Sequence, residues 1–334
     1  MTTEAWAGID VGAKGLAVAI TTAQGRRVEL EVENTATGHR AIGRALRKAG
    51  KTSQVCLEAT GVYHLDLTYA LHATPGVTVM VVNPRRAKDF ARAGMRRAKT
   101  DRVDARVLLE FSQRMPFQAW APPPPAVREV QALTRRIDAL ARMRVQEKNR
   151  RHAAGVATGG PAVLAEASRA HIAFLEAQMK TLTAAAQAVI ATAPALARQL
   201  EQLQSVPGIA LRSGLRLLGE LAGLPADMTA RQWVAHAGLD PRPWTSGTSV
   251  HKPPRISRTG NARLRGALYM PALVAVRRDP AAKGFYERLQ TRQAKPRQGI
   301  VAVMRKLLHA IYGMFRHDGL YDPTKCYASV AVGA

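Results

Sequence analysis

Residues 6–32 read WAGIDVGAKGLAVAITTAQGRRVELEV, and the architecture of the first part of the chain turns on them. Three short apolar and β-branched runs, Trp6 to Val11, Leu16 to Thr21 and Arg27 to Val32, are separated by Gly12 to Gly15 and by Gln24 and Gly25. Turn residues between such runs predict a three-strand meander. The pattern then alternates. Helical spacing at His39 to Ala49 precedes a strand at Gln54 to Glu58, a helix near Tyr63 to His72 and an apolar strand at Val77 to Val82, ended by Asn83 and Pro84. A mixed α/β domain follows from this order. In DRVDARVLLEF, residues 101–111, Val103, Val107, Leu108 and Phe111 recur at helical spacing, so this helix is expected to dock on the sheet.

Four prolines, Pro122 to Pro125, are too stiff and donor-poor for an element interior and mark a boundary. Beyond them Val127, Val130, Leu133, Ile137 and Leu140 recur at spacings of three and four, as do Ile172, Leu175, Met179 and Leu182. The two stretches flank Gly155 to Pro161 and predict a helical, coiled-coil-like hairpin arm. Val206, Pro207, Gly208 and Ile209 form a tight turn between helices at Leu196 to Leu203 and Leu211 to Leu221. A helix, hairpin, helix unit of this kind offers N–H groups to phosphate, and an ordinary helix connection has the same sequence. A helix at Ala230 to Ala237, a polar loop from Leu239 to Thr259, and helices at Ala262 to Val276 and Gly299 to Phe315 complete the chain. Three parts are expected: residues 1–121, 126–200 and 201–334.

Among 334 residues, 49 are Lys or Arg and 24 are Asp or Glu, a formal charge of +25; 37 of the cations are Arg. Hydrophobic residues at 47% supply packed cores and exclude a disordered chain. The charge is clustered: nine cations lie between Arg85 and Arg106, six with no acid between Arg242 and Gly266, and nine between Arg277 and Lys306. Arginine's planar fork grips phosphate, so the clusters predict a nucleic-acid partner bound with a steep salt dependence. The residues expected to touch it are Arg85, Arg86, Arg96, Arg97, Lys99 and Arg102 in the first cluster, and Arg242, Lys252, Arg255, Arg258 and Arg263 in the second. No apolar run is long enough to span a bilayer, no secretory leader is visible, and Cys56 and Cys326 make neither a zinc site nor a disulfide framework. A cytoplasmic protein with no membrane partner is expected.

Asp10 in GIDVGAK and Glu58 in LEATGVYH each end a strand, where strand ends of an α/β sheet open on a shared crevice. Asp101 and Asp104 in KTDRVDA share one helix face. If that helix crosses the crevice, four carboxylates meet, and hard oxygen donors in that number call for Mg2+ or Mn2+.

The combination of GIDVGAK, LEATGVYH, VNPRRAKDFARA and KTDRVDA resembles the N-terminal DEDD, RuvC-like domain of the IS110 family of insertion-sequence transposases. Val206 to Ile209, then AGLDPRPWTSG and RISRTGNARLR, resemble the same family's C-terminal domain in order. The resemblance covers essentially the whole chain. It implies a ribonuclease H-like N-terminal domain, a helical arm and a mainly helical transposase domain, with Asp10, Glu58, Asp101 and Asp104 as Mg2+ ligands. It also implies that Ser246, in TSG, is the nucleophile that attacks DNA phosphate. Strands would be cut and rejoined through a covalent phosphoserine, without ATP. Further implied are donor and target double-stranded DNA, a structured non-coding guide (bridge) RNA, a homodimer assembling to a tetrameric synapse, and a bacterial cytoplasm with action at the nucleoid. An active site completed by two subunits is expected if serine and metal lie in different domains. From the residues alone Ser246 competes with Ser249 in the same loop and with the more distant Ser257. Two other readings stand beside this one: a RuvC-like junction nuclease using metal-activated water, and a non-catalytic nucleic-acid-binding protein whose acids are surface charge.

Overall fold

The computed structural model describes residues 4–94, 100–156, 161–246, 250–291 and 295–327, with the backbone alone described at 244–246 and 250–254. The chain divides within its proline run into two compact units, Met1–Pro122 and Pro123–Ala334. The helical arm and the C-terminal part fall together in the second unit.

The first unit runs β1 (Glu4–Val11), β2 (Gly15–Thr21), β3 (Arg27–Glu33), α1 (Ala36–Ala49), β4 (Thr52–Glu58), α2 (Leu65–His72), β5 (Val77–Val82), α3 (Pro84–Ala93) and α4 (Asp101–Arg114). Its sheet has the order β3-β2-β1-β4-β5. The first three strands are antiparallel, while β4 pairs parallel with β1 and β5 parallel with β4. That topology is ribonuclease H-like, and it arises from the meander read in residues 6–32. Side chains alternate across a strand. Ala5, Ala7, Ile9 and Val11 of β1 therefore pack with Ile42 and Leu46 of α1 and Leu67 and Leu71 of α2. On the opposite face Trp6, Ala17 and Ala19 meet Ala105 and Leu109 of α4, while Cys56, Met80 and Val82 meet Ala87, Leu108 and Phe111.

The docking of α4 depends on small residues beneath it. A Cβ built on Gly8 would lie 2.1 Å from the Leu109 nitrogen and 2.2 Å from the Ala105 oxygen. Only glycine lets the helix backbone come down onto the centre of β1.

The strand end expected after β5 is observed, and a helix not expected there follows it. Asn83 and Pro84 end the strand but also open α3: the Asn83 side chain accepts from the Arg85 N–H at 2.8 Å, and Pro84 occupies the first turn. An N-cap asparagine followed by proline is a helix-start signal.

The second unit runs α5 (Pro125–Val156), α6 (Ala162–Ala191), α7 (Pro194–Gln204), α8 (Leu211–Leu221), α9 (Ala230–His236), β6 (Pro241–Ser246), β7 (Val250–Ile256), α10 (Ala262–Arg278), α11 (Pro280–Thr291), α12 (Pro296–His317) and α13 (Pro323–Tyr327). Ile137, Leu140 and Ala141 of α5 close on Leu175 and Met179 of α6, the predicted seam. Residues 157–160 of the expected connection lie outside the described residues. The main core gathers Leu215, Leu218, Trp233, Val234, Leu264, Leu268, Leu307 and Ile311. Gly208 has φ +94°, and a Cβ there would sit 2.7 Å from Val274 Cβ on α10. The turn therefore packs closely on α10.

The stretch Leu239 to Thr259, expected as a polar loop, is instead an antiparallel hairpin of β6 and β7. Its prolines concealed it. Both strands of a two-stranded ribbon are edges, where missing N–H donors are tolerated, and the register slips around Pro243, between Arg242 and Trp244. Among the described residues no helix is long and apolar enough to cross a membrane.

Candidate active site and nucleic-acid interface

In the parallel pairing of β1 with β4, Ile9 lies beside Leu57. The next residue of each strand, Asp10 and Glu58, turns to the opposite face, the one covered by α4. The Thr100 side chain caps α4 by accepting from the Val103 N–H at 3.3 Å, so Asp101 and Asp104 fall in the first turn. Helix periodicity sets them above Ala105 and Leu108, which touch the sheet. Gly8 thus brings the acidic end of α4 toward the acidic ends of two strands.

The electrostatics report the convergence. The Asp10 carboxyl is pushed up from 3.8 to about 6, first by burial and then by the negative fields of Asp101, Asp104 and Glu58. Three carboxylates therefore act on a fourth. Beneath Glu58, burial and that carboxylate push the Cys56 thiol up to about 12. Among the described residues, no three acidic, His or Cys side chains close around one point in metal-ligand fashion. The donor set nonetheless fits a hard divalent cation: it is all oxygen, and the mutual repulsion registered at Asp10 is what such an ion relieves.

Around this site the first basic cluster is partly committed to the fold. Arg102 Nε donates to Glu31 at 2.5 Å, and Arg106 makes two hydrogen bonds to Glu29 at 2.6 and 2.8 Å, tying α4 to β3. Arg102, expected as a phosphate contact, pairs with Glu31 and its side chain stays exposed. Arg85 lies 3.7 Å from Asp89, and the Arg86 guanidinium sits 5.8 Å from the Phe111 ring centroid. Arg96, Arg97 and Lys99 lie outside the described residues.

The second unit carries the serine. Ser246 is the last residue of β6, paired with Val250 at the tip of the hairpin; its side chain, that of Lys252, and the whole of Ser249 lie outside what is described. Arg242 and Arg255 face one another across the ribbon, and both are exposed. Like charges directly opposed destabilise a hairpin unless an anion joins them. Arg258 follows in the left-handed region at φ 53°, and Arg263 is exposed in the first turn of α10.

Asp240, Asn261 and Glu220, which sequence reasoning does not single out, hold the hairpin's base. Ser257 donates its hydroxyl to the Asp240 carboxylate, and the Ser257 N–H donates to the Asp240 carbonyl at 2.9 Å. This pair fastens Ser257 to the start of the hairpin. Asn261 caps α10 and donates to Glu220 at 2.7 Å, while Arg135 grips Glu220 with two bonds at 2.8 and 2.9 Å. Burial opposes ionisation of Glu220, but the bonds from Arg135 and Asn261 outweigh it and hold the carboxyl below its usual range. A lone acid in an arginine-rich stretch is the available signal.

Residues 7–154 match the family model described as "Transposase", of the DEDD type, and residues 200–287 match "Transposase IS116/IS110/IS902 family". The pilin gene-inverting protein of Moraxella bovis is 28% identical over 81% of this chain and 82% of its own length, and that of Moraxella lacunata matches to the same extent. The insertion element IS110 protein of Streptomyces coelicolor is 30% identical over 40% of this chain and 32% of its own. Among solved structures, Thermus thermophilus RuvC in complex with a Holliday junction substrate covers 35% of this chain and 99% of that one, with 16% identity and a TM-score of 0.27; strand order, not this likeness, carries the fold. The two domain models, in order along the chain, lead to one conclusion: the chain belongs to the IS110 family of insertion-sequence transposases.

Proposed function

We propose that this transposase is an RNA-guided DNA recombinase that cuts and rejoins strands through a covalent link to Ser246, assisted by a divalent cation at Asp10, Glu58, Asp101 and Asp104. The observation that carries the reading is the convergence of four carboxylates on one face of the sheet, felt at Asp10. When bound, Mg2+ would polarise a phosphoryl oxygen and steady the attacking and leaving oxygens. Every other part belongs to the chain's own side chains.

Ser246 gives up its hydroxyl proton as its oxygen forms a bond to phosphorus, and the phosphodiester bond to one deoxyribose oxygen breaks. That oxygen leaves as a hydroxyl after taking a proton. The strand is then a phosphodiester of serine, so bond energy is retained. A hydroxyl of the exchanged strand reverses the step and frees the serine. Arg242 and Arg255, opposed across the ribbon that carries Ser246, supply positive charge for the phosphate. Carboxylates and serine belong to different units of the chain, which suits a site completed by two subunits of a homodimer within a tetrameric synapse.

Guidance by a structured RNA fits the composition. Aromatics make up only 5% of residues, few for base stacking, whereas 37 arginines suit duplex backbones. Sequence choice would then rest on pairing between the RNA and both DNA partners. Sequencing the RNA that copurifies with the protein tests this: a single structured species complementary to donor and target supports it, and random cellular RNA contradicts it.

For the chemistry, supercoiled donor DNA is incubated with protein and Mg2+ and then denatured. A protein–DNA adduct that survives denaturant and disappears in Ser246→Ala is the expected result. Cleavage without any adduct would instead favour a junction nuclease using water.

A further inference from the structure

A groove of about 610 Å3 runs along α12, away from the hairpin sequence and walled by α11, α13 and the loop before it. Its floor is apolar, formed by Ala302, Ala310, Gly313 and Met314, and the Phe285 ring stands at one side. Arg305, Lys306, His309, His317 and Lys325 line it against a single acid, Asp322, which lies 3.6 Å from Lys325. The Arg305 Nε–H is buried and has no hydrogen-bond partner among the described residues. A buried donor on a charged group is costly until an acceptor reaches it. Burial and the fields of Arg305, Lys306 and Arg231 hold His309 below its usual range, a second sign that positive charge is crowded here. The Lys306 ammonium lies over the Phe285 ring, 5.7 Å from its centroid, so a base that stacks on this ring takes the ammonium's place and leaves Lys306 for the phosphate.

A concave site with an apolar floor, one aromatic wall and clustered cations suits an anion that also carries a flat, weakly polar ring. Within a DNA transposase family that description fits a nucleotide, and a paired base inside a duplex cannot enter a groove of this size. We propose that the α12 groove takes one unpaired nucleotide of the nucleic-acid substrate, its base against Phe285 and its phosphate against Arg305 and Lys306. Such a pocket would hold a base exposed when strands open for exchange. The inference rests on the family's nucleic-acid substrate and not on Ser246 or the acids.

Gly313 provides a variant that keeps both fold and charge. A Cβ there meets no heavy atom within 4 Å, and leucine favours helix over glycine, so Gly313→Leu fills the groove without straining α12. Binding of deoxyadenosine monophosphate, deoxyadenosine and inorganic phosphate to the full chain is measured by saturation-transfer NMR, with circular dichroism and melting as fold controls. The nucleotide is expected to bind more tightly than nucleoside or phosphate alone. Gly313→Leu and Lys306→Gln should each weaken it about tenfold, the first at a melting temperature no lower than the wild type's and the second at an unchanged one. No saturable binding of the nucleotide to the wild type, equal binding in Gly313→Leu, or phosphate binding as tightly as the nucleotide would each overturn the proposal.

Discussion

Asp10 is the side chain that reports most directly on the acidic site. Its carboxyl is pushed from 3.8 up to about 6, chiefly by burial and then by Asp101, Asp104 and Glu58. A carboxyl raised on folding stabilises the folded state below its unfolded value, and that contribution is lost as pH rises through the window from about 4 to about 6. At neutral pH the metal-free protein therefore carries unrelieved repulsion. A rise of this size corresponds to about 3 kcal/mol for a fully enclosed group, and solvent access to this half-open site reduces the effect to about 1–2 kcal/mol. Asp10→Asn should raise the melting temperature of the metal-free protein at pH 7.5, with little change at pH 4, and should lose the further stabilisation that Mg2+ gives the wild type. Equal Mg2+-induced shifts in both proteins would remove Asp10 from the metal site. Asp10 and Glu58 are legible in the sequence because each ends an apolar run, where strand geometry puts the side chain at an edge. Glu220, Asp240 and Asn261 are not, since their roles depend on partners 85, 17 and 41 residues away.

Helix α4 links the two strand-borne acids to the two helical ones, and its position rests on Gly8. A methyl group there cannot be accommodated against the α4 backbone, so Gly8→Ala should cost about 3 kcal/mol and lift the helix from the sheet. The same variant should lose Mg2+ binding although it removes no carboxylate; retained binding with a normal melting temperature would show that α4 is not held in this way. The helix itself is readable from Asp101, because Thr100 caps it and its apolar residues keep one face. Helix α3 has its start signal in Asn83 and Pro84, but the same pair also ends a strand, and the two meanings overlap at one position. The β6–β7 hairpin is hidden for a different reason: Pro243, Pro253 and Pro254 interrupt it, and no alternating apolar face marks it. Its exposed Arg242 and Arg255 lead to a prediction at this level. Arg255→Ala should weaken DNA binding and lower the slope of log affinity against log salt by about 0.9, the loss of one phosphate contact on a duplex. An unchanged slope would assign Arg255 to the ribbon alone.

With a formal charge of +25, the protein cannot be understood without a polyanion. Its two units divide the labour that the proposal requires, acids in the first and serine in the second. The charge clusters are plain in the sequence, but their surroundings differ: Arg102 and Arg106 pair with Glu31 and Glu29 of β3 at the surface, and Arg242, Arg255 and Arg263 are exposed in the second unit. Composition counts cations; only tertiary pairing shows which are left for a ligand. The central claim is that a serine, not water, takes the phosphate. The adduct formed with Mg2+ and donor DNA can be digested with nuclease and protease and mapped by tandem mass spectrometry. A nucleotide remnant on Ser246 is the predicted result, absent when Asp101→Asn replaces the wild type. A remnant on Ser249 or another residue, or strand cleavage with no remnant at all, would contradict it.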